Sequence, residues 1–184
     1  MTRIYLVRHG QTDWNVAGRW QGHADVPLNA VGLAQAETVA GQLAGEGLQA
    51  LYSSDLQRAR QTAGALSART GLPVCLDARL REIHQGEWQG LSVSEIEARY
   101  GEAFRRRKLD SYNVAPPGGE TVEQVRLRVV QAFEEIIARH SGDRVAVVSH
   151  GFALAVAQVH YQNRPIQQAW ELIPANDEWR ILEV

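Results

Sequence analysis

The sequence contains very little sulfur: one cysteine, Cys75, and one methionine among 184 residues. A single cysteine excludes an internal disulfide and a cysteine-based zinc site. Cys75 lies in the stretch LPVCLDA, which has the pattern of a short buried strand. We therefore predict an unreactive thiol packed in the core.

Long hydrophobic runs are also absent. Nowhere do about 18 apolar residues follow one another, which is the length a membrane-spanning helix needs. The opening stretch MTRIYLVRHG has too short an apolar segment for a signal peptide. The sequence thus predicts a cytoplasmic protein with no membrane partner.

The chain has no strong excess of either charge. Its 19 basic and 21 acidic residues give a net charge of −2, so no overall field attracts nucleic acid, and no nucleic-acid partner is expected. Any anion must be bound by a local cluster of cations. The apolar share of 45% and the charged share of 22% are typical of a globular protein.

Short apolar runs alternate with helical patterns. Strands are predicted at 4–7, 50–53, 73–76 and 144–149, with a last one within 178–184. Helices are predicted at 30–44, after an N-cap at Asn29, and at 121–139, where Thr121 and Gln124 form a capping box. Strands separated by helices indicate an α/β fold with a mostly parallel sheet covered on both faces.

No low-complexity linker divides the chain, which predicts a single domain over residues 1–184. The segment 93–120 is less regular, with one or two helices and then a Pro-Pro-Gly-Gly loop. We interpret it as an insertion within the domain that forms a wall or lid of a site. Its basic run, Arg105 to Lys108, either is a solvated helix face, the favoured interpretation, or holds a second acidic group of a substrate.

Two strands end on the same dipeptide, in YLVRHG and AVVSHG. In a parallel sheet ligands bind outside the carboxyl ends of the strands, so His9 and His150 are expected to share a site there. The following glycines would let a ligand approach the backbone. A helix after His150 would offer free N–H groups to an anion.

The two histidines also have other interpretations. Each one alone is more often a hydrogen-bonded turn residue than a catalyst. A metal site is disfavoured because Arg8 is next to His9, and no metal is predicted.

Two further segments supply charged groups. In SSDLQRARQTA, Ser54 or Asp55 is expected to cap a helix, and Arg58 and Arg60 face different sides of it, so that one can reach the strand ends. In LREIHQGEWQG, Glu82 is a candidate acid/base. An imidazole nucleophile, an acid/base and fixed cations are the set that phosphoryl transfer through a phosphohistidine needs.

Six stretches together resemble the histidine phosphatase superfamily, in its phosphoglycerate-mutase-like branch, and they follow the family's order over nearly the whole chain. They are LVRHGQTDWN, PLNAVGLAQA, SSDLQRARQTA, LREIHQGEWQG, PPGGETVEQVRLRV and VAVVSHG. The resemblance implies a three-layer α/β/α sandwich with a mostly parallel central sheet.

The resemblance also implies roles for individual residues. His9 matches the phosphorylated histidine, Glu82 the acid/base, and Arg8, Arg58 and His150 the groups around the transferred phosphoryl group. Arg60 takes a variable place in the family, and Glu87 is a second-ranked acidic candidate. The substrate or phosphate is expected to contact Asn15, Gln21, Gly22, Gly151 and Phe152.

The resemblance leaves a choice between phosphatase and mutase. Only 67 residues separate Glu82 from His150, and the mutases that use 2,3-bisphosphoglycerate carry a larger insertion there. Because a shorter cap admits water more easily, we favour a phosphatase of small phosphate monoesters that needs no cofactor. A non-catalytic protein that binds phosphorylated ligands is the less favoured alternative.

The expected partner is a small phosphorylated metabolite. A homodimer is left open, because Trp170 or Trp179 could mark a contact, although core packing is the favoured role for both.

Overall fold

A five-stranded sheet lies at the centre of the computed structural model, which describes all 184 residues. Its strands are β1 (Arg3–Arg8), β2 (Ala50–Ser53), β3 (Val74–Leu76), β4 (Arg144–Ser149) and β5 (Trp179–Glu183), in the spatial order β3-β2-β4-β1-β5. The first four are parallel, and β5 runs antiparallel to β1 at the edge. The predicted strands and the α/β class are confirmed.

Helices cover both faces of this sheet. They are α1 (Asp13–Val16), α2 (Ala30–Leu43), α3 (Gln57–Thr70), α4 (Val93–Leu109), α5 (Val122–Arg139) and α6 (Gly151–Tyr161). Side chains of α2 and α3 pack on one face, and those of α5 and α6 pack on the other. Alternation along β1 separates the two cores, since Ile4 and Leu6 belong to one and Tyr5 and Val7 to the other.

The predicted helix starts are confirmed where local capping decides them. The side chain of Asn29 accepts from the Gly32 N–H at the start of α2, and Thr121 and Gln124 form a reciprocal capping box at the start of α5. In the segment 93–120, α4 is interrupted at Tyr100, whose φ of −130° is not helical, and a loop follows it. None of the helices combines the length and apolar character needed to cross a bilayer.

Two predictions about side chains are wrong. Cys75 is exposed, because β3 is a three-residue edge strand that pairs only with β2 and has little cover. Neither Ser54 nor Asp55 caps α3, whose N-cap is Leu56 with no side-chain hydrogen bond. Asp55 instead forms an ion pair with Arg81, with an N–O distance of 2.5 Å.

Candidate active site

Three neighbouring parallel strands end at the same edge of the sheet and deliver His9, Ser54 and His150. Arg8, the last residue of β1, is paired with Ser149 of β4, and Ser53 of β2 is paired with Val148. His9 therefore lies beside His150, and Ser54 lies beside Ser149, one position before His150. The rings of His9 and His150 meet edge to face with centroids 5.1 Å apart. The predicted convergence of the two His-Gly strand ends is present.

His9 is buried and held as a neutral ring. Its Nδ1 lies 2.7 Å from the Gly10 carbonyl oxygen. Because a carbonyl can only accept a hydrogen bond, Nδ1 carries the proton and donates, which leaves the lone pair on Nε2. Burial, and next the positive charges of Arg58 and Arg8, lower the pKa of His9 well below its ordinary value of 6.5. A neutral imidazole with a free Nε2 lone pair is suited to nucleophilic attack.

His150 is fully buried behind His9, and both its ring nitrogens have protein partners. Nε of Arg58 donates to Nδ1 at 3.2 Å, so Nε2 carries the proton and donates to the Ser54 hydroxyl at 2.8 Å. Burial, and next the Arg58 charge, lower the pKa of His150 well below 6.5. His150 thus fixes the position of Arg58 and packs against His9.

Two arginines without carboxylate partners flank His9. Arg58 is completely buried, and it donates to the carbonyl oxygens of Gly22 and Ala24, both at 2.8 Å. Burial lowers its pKa to about 10, which leaves it cationic at neutral pH. Arg8 donates to the Pro174 carbonyl, and its buried Nε has no hydrogen-bond partner. Cations held by backbone carbonyls retain their charge for an anionic ligand.

The start of α6 is not free, contrary to the prediction. The N–H of Phe152 donates to Oε2 of Glu82 at 3.1 Å, and the N–H of Ala153 donates to Oε1 at 3.2 Å. The carboxyl group of Glu82 therefore occupies the position that a bound anion would take at the positive end of the α6 dipole. An incoming phosphate must share or displace these two contacts.

All predicted site residues except His150 line one cavity of about 280 Å³. They are Arg8, His9, Asn15, Gln21, Gly22, Arg58, Glu82, Gly151 and Phe152. Three buried polar atoms of cavity-lining residues have no partner in the protein: Arg8 Nε, Gln21 Oε1 and Gln85 Oε1. Because buried polar groups are rarely left unpaired, these atoms favour a polar ligand in the cavity.

Asn15 is positioned by the short helix α1. Its Oδ1 accepts from the Thr12 N–H at 3.0 Å in a capping box, and Asn176 Nδ2 lies 3.4 Å away from the same oxygen. With Oδ1 engaged in this way, the amide nitrogen is the end of Asn15 available to a ligand.

The segment that carries Glu82 is held from behind. Arg128 of α5 donates to the carbonyl oxygens of Arg79, Arg81 and Glu82, at 2.7, 2.6 and 2.8 Å. His23 Nε2 donates to the same Glu82 carbonyl at 2.8 Å. Burial lowers the pKa of His23 from 6.5 to about 4, so the ring is a neutral donor.

The glycines after the two histidines serve packing. A Cβ at Gly10 would fall on the carbonyl oxygen of Gly32, and one at Gly151 would lie 2.8 Å from Ile173 Cγ2 and 3.4 Å from Arg8. The expectation that they make room for a ligand is wrong for Gly10, which does not line the cavity, whereas Gly151 does line it. At both positions a protein neighbour already takes the space.

The other charged residues considered for the site, Arg60 and Glu87, lie outside the cavity. Arg60 is exposed, as predicted from its different helix face. Glu87 is exposed and does not line the cavity. No three His, Cys, Asp or Glu side chains lie close enough together to hold a metal ion.

Several residues of the site were missed from the sequence. Ser54, expected to cap α3, binds His150 instead. Asn176 donates to the His9 carbonyl at 3.0 Å from a loop 167 positions away along the chain, and Trp20 and Trp170 line the cavity. Trp170 is 42% exposed and stacks on Phe152 with centroids 4.1 Å apart, so core packing was the wrong expectation for it. The sequence signal for Ser54 was its place after β2, equivalent to His9 and His150.

Comparison with known proteins agrees with this geometry. Residues 4–184 match the model of the histidine phosphatase superfamily (branch 1). The chain is 41% identical over 151 residues to phosphoglycerate mutase-like protein 4 of Arabidopsis thaliana, an alignment that covers 80% of this chain and 66% of that protein. It is 39% identical over 150 residues to phosphoserine phosphatase 1 of Hydrogenobacter thermophilus, with coverage of 82% and 71%.

A solved structure of a mycobacterial glucosyl-3-phosphoglycerate phosphatase complexed with VO3 superposes on 98% of this chain and 90% of its own, with a TM-score of 0.89 at 35% identity. This chain belongs to the histidine phosphatase superfamily, so the family resemblance and the predicted sandwich are confirmed. It spans just under two thirds of the length of the plant relative.

Proposed function

We propose that this chain is a phosphatase that hydrolyses small phosphate monoesters through a phosphohistidine on His9. The observation that carries the proposal is the environment of that ring. It is neutral, its Nδ1–H is fixed on the Gly10 carbonyl, and Arg8 and Arg58 adjoin it and bind backbone carbonyls rather than carboxylates. Relatives that bear phosphatase names support the same reaction class.

In the first step Nε2 of His9 attacks phosphorus, and the bond from phosphorus to the leaving oxygen breaks. Glu82, as a carboxylic acid, gives its proton to that oxygen. Arg8, Arg58 and the N–H groups at the start of α6 stabilise the phosphoryl oxygens. As these oxygens take the contacts of Phe152, the Glu82 carboxyl group is released to act on the leaving group.

In the second step a water molecule attacks the phosphohistidine. Glu82, now a carboxylate, takes a proton from this water as the P–N bond breaks, and inorganic phosphate and free His9 result. The proposed positive groups are arginines and backbone amides, so the scheme requires neither a metal ion nor an organic cofactor. A cytoplasmic location and a small phosphorylated metabolite as substrate complete the proposal.

The test is hydrolysis of p-nitrophenyl phosphate at mildly acidic pH. Because the pKa of His9 is held well below 6.5, the nucleophile stays neutral there. We expect turnover that survives EDTA, is inhibited by vanadate and leaves a phosphoryl adduct detectable by intact-protein mass spectrometry after rapid quenching. His9→Ala is expected to lower kcat by on the order of a thousandfold or more. His160→Gln, which changes a histidine of α6 outside the cavity, is the control; full turnover by His9→Ala would refute the phosphohistidine route.

A mutase is the second candidate, favoured by the name of the plant relative. It is tested with 3-phosphoglycerate and a trace of 2,3-bisphosphoglycerate. Release of phosphate faster than isomerisation is the expected result. Isomerisation much faster than phosphate release would replace the phosphatase proposal by the mutase.

A further inference from the structure

A second cavity, of about 370 Å³, adjoins the cavity of the candidate active site. Both are lined by Trp20 and Trp170, which stand between them. The remaining wall of the second cavity comes from α4 and the loop after it: Val93, Phe104, Arg107, Lys108 and Ser111. We call it the Arg107 cavity. Because the two cavities share Trp20 and Trp170, the Arg107 cavity is the neighbouring space into which a substrate with its phosphate at His9 would extend.

Arg107 is buried in this wall, with only 4% of its surface exposed. Its Nη1 donates to the carbonyl oxygens of Val114 at 2.8 Å and Glu120 at 3.4 Å. Its Nη2 is buried without any hydrogen-bond partner. Burial lowers the pKa of Arg107 to about 10, so the group stays cationic at neutral pH.

No carboxylate neutralises this charge, which is unusual for a buried arginine. On the next helix, Arg126 and Arg128 each bind a glutamate side chain, at 2.6 and 2.9 Å. The only other arginine as deeply buried as Arg107 is Arg58, which also binds backbone carbonyls and no carboxylate. Arg58 adjoins the candidate phosphate position. Because Arg107 has the same burial and the same kind of partners, we infer that it also binds an anion.

The rest of the wall sets the kind of anion. Trp20 and Phe104 line the cavity with apolar rings, and both pack edge to face on the buried Trp88, with centroids 5.8 and 5.5 Å away. The other nearby cation, Lys108, lies over the Phe104 ring and pairs with Glu97. A single guanidinium whose Nη1 already binds two carbonyl oxygens has few free donors, which suits a monoanionic carboxylate better than a phosphate dianion.

We propose that the Arg107 cavity binds the non-phosphate end of the substrate, and that this end carries a carboxylate on an apolar or planar carbon skeleton. The inference rests on the proposed phosphatase function and names the substrate class for the same site. The basic run of α4 is then divided: Arg105 and Arg106 are exposed, whereas Arg107 faces inward.

The test compares matched pairs of phenyl phosphates that carry either a carboxylate or a neutral carboxamide. The carboxyl group is placed at the meta position, at the para position, or one methylene further out. The series therefore varies the distance between the phosphate and the carboxyl group. Because a charged hydrogen bond adds about 1.5 to 3 kcal/mol, we expect kcat/KM for at least one carboxylate to exceed that of its carboxamide about tenfold or more.

The variants localise this preference. Arg107→Gln retains a polar N–H donor and removes the charge, so it should bring the carboxylate-to-carboxamide ratio close to one. Arg106→Gln, the exposed neighbour, should leave the ratio unchanged. If Arg107→Gln does not fold, the carboxylate-to-carboxamide ratio of kcat/KM in the native protein still tests whether a carboxylate is preferred.

The outcomes separate the two proposals. If phenyl phosphate itself is not hydrolysed, the phosphatase function is wrong. If phenyl phosphate is hydrolysed but each carboxylate is treated like its carboxamide, only the Arg107 inference is overturned. It is also overturned if the preference persists in Arg107→Gln.

Discussion

Arg128 offers a test of whether the segment that carries Glu82 is held by one side chain. We consider Arg128→Met, which keeps the length of the side chain and removes the guanidinium. The native side chain forms three hydrogen bonds to backbone carbonyls of the segment Arg79–Glu82 and an ion pair with Glu120 at 2.9 Å. Arg126→Met is the matched control on the same helix.

The two substitutions should lower the free energy of unfolding by different amounts, because Arg128 is less exposed than Arg126 and has more hydrogen-bond partners. The Arg128–Glu120 pair is 17% and 21% exposed, and its removal also takes the donors from the carbonyls of Arg79 and Arg81. An unsatisfied buried group costs about 1 to 3 kcal/mol, so we expect Arg128→Met to lower the free energy of unfolding by roughly 3 kcal/mol. The Arg126–Glu123 pair is 30% and 32% exposed. Its loss should cost about 0 to 1 kcal/mol.

Urea titrations measure this difference as a shift of the midpoint at constant slope. With a slope near 3 kcal/mol/M, the Arg128→Met midpoint should fall by about 1 M. Displacement of Glu82 should also lower kcat for phenyl phosphate, by up to about a hundredfold for a shift of 1 Å. Equal losses of stability in the two variants, or native kcat in Arg128→Met, would refute the assignment of Arg128 as a positioning residue.

Three further outcomes are expected. Arg58→Ala should lower kcat/KM for p-nitrophenyl phosphate by on the order of a hundredfold or more, while exposed Arg60→Ala changes it less than about twofold; the reverse ranking would contradict the placement of Arg58. Glu82→Gln should slow phenyl phosphate much more than p-nitrophenyl phosphate, whose better leaving group needs less protonation; equal losses would argue against general acid catalysis. The pKa of His23 is lowered from 6.5 to about 4, so the unfolded chain binds a proton in this window that the folded chain does not, and stability is full above pH 6.5 and falls below it. His23→Gln should therefore lose less stability than the native protein between pH 7 and pH 5 in urea titrations, and an equal loss would count against this account.

The sequence predicts the fold well because its signals are local and repeated. Apolar runs mark the strands, and capping residues such as Asn29 and Thr121 mark helix starts. The convergence of His9 and His150 was also predictable, since carboxyl ends of parallel strands share one edge of the sheet. Each of these features depends on the few residues around it and on a general rule of topology.

Features that depend on the neighbouring chain were not predictable. Cys75 was expected to be buried, but its exposure is decided by the position of β3 at the sheet edge. Ser54 has the residue type and position of a helix cap, yet its hydroxyl is hydrogen-bonded to the imidazole of His150, 96 positions away. The inward direction of Arg107 is likewise invisible in a run of four basic residues, because it results from the packing of α4 on the following loop.

The contact of Glu82 with the first N–H groups of α6 bears on product release. In the proposed mechanism inorganic phosphate rests on donors that also bind the Glu82 carboxyl group in this structure, at 3.1 and 3.2 Å. When phosphate leaves, Glu82 would return to these donors. The first N–H groups of α6 would then keep a hydrogen-bond acceptor without depending on water. In the proposed mechanism Glu82 would therefore also compete with the product for these donors, and we expect this competition to shorten the time that phosphate remains bound.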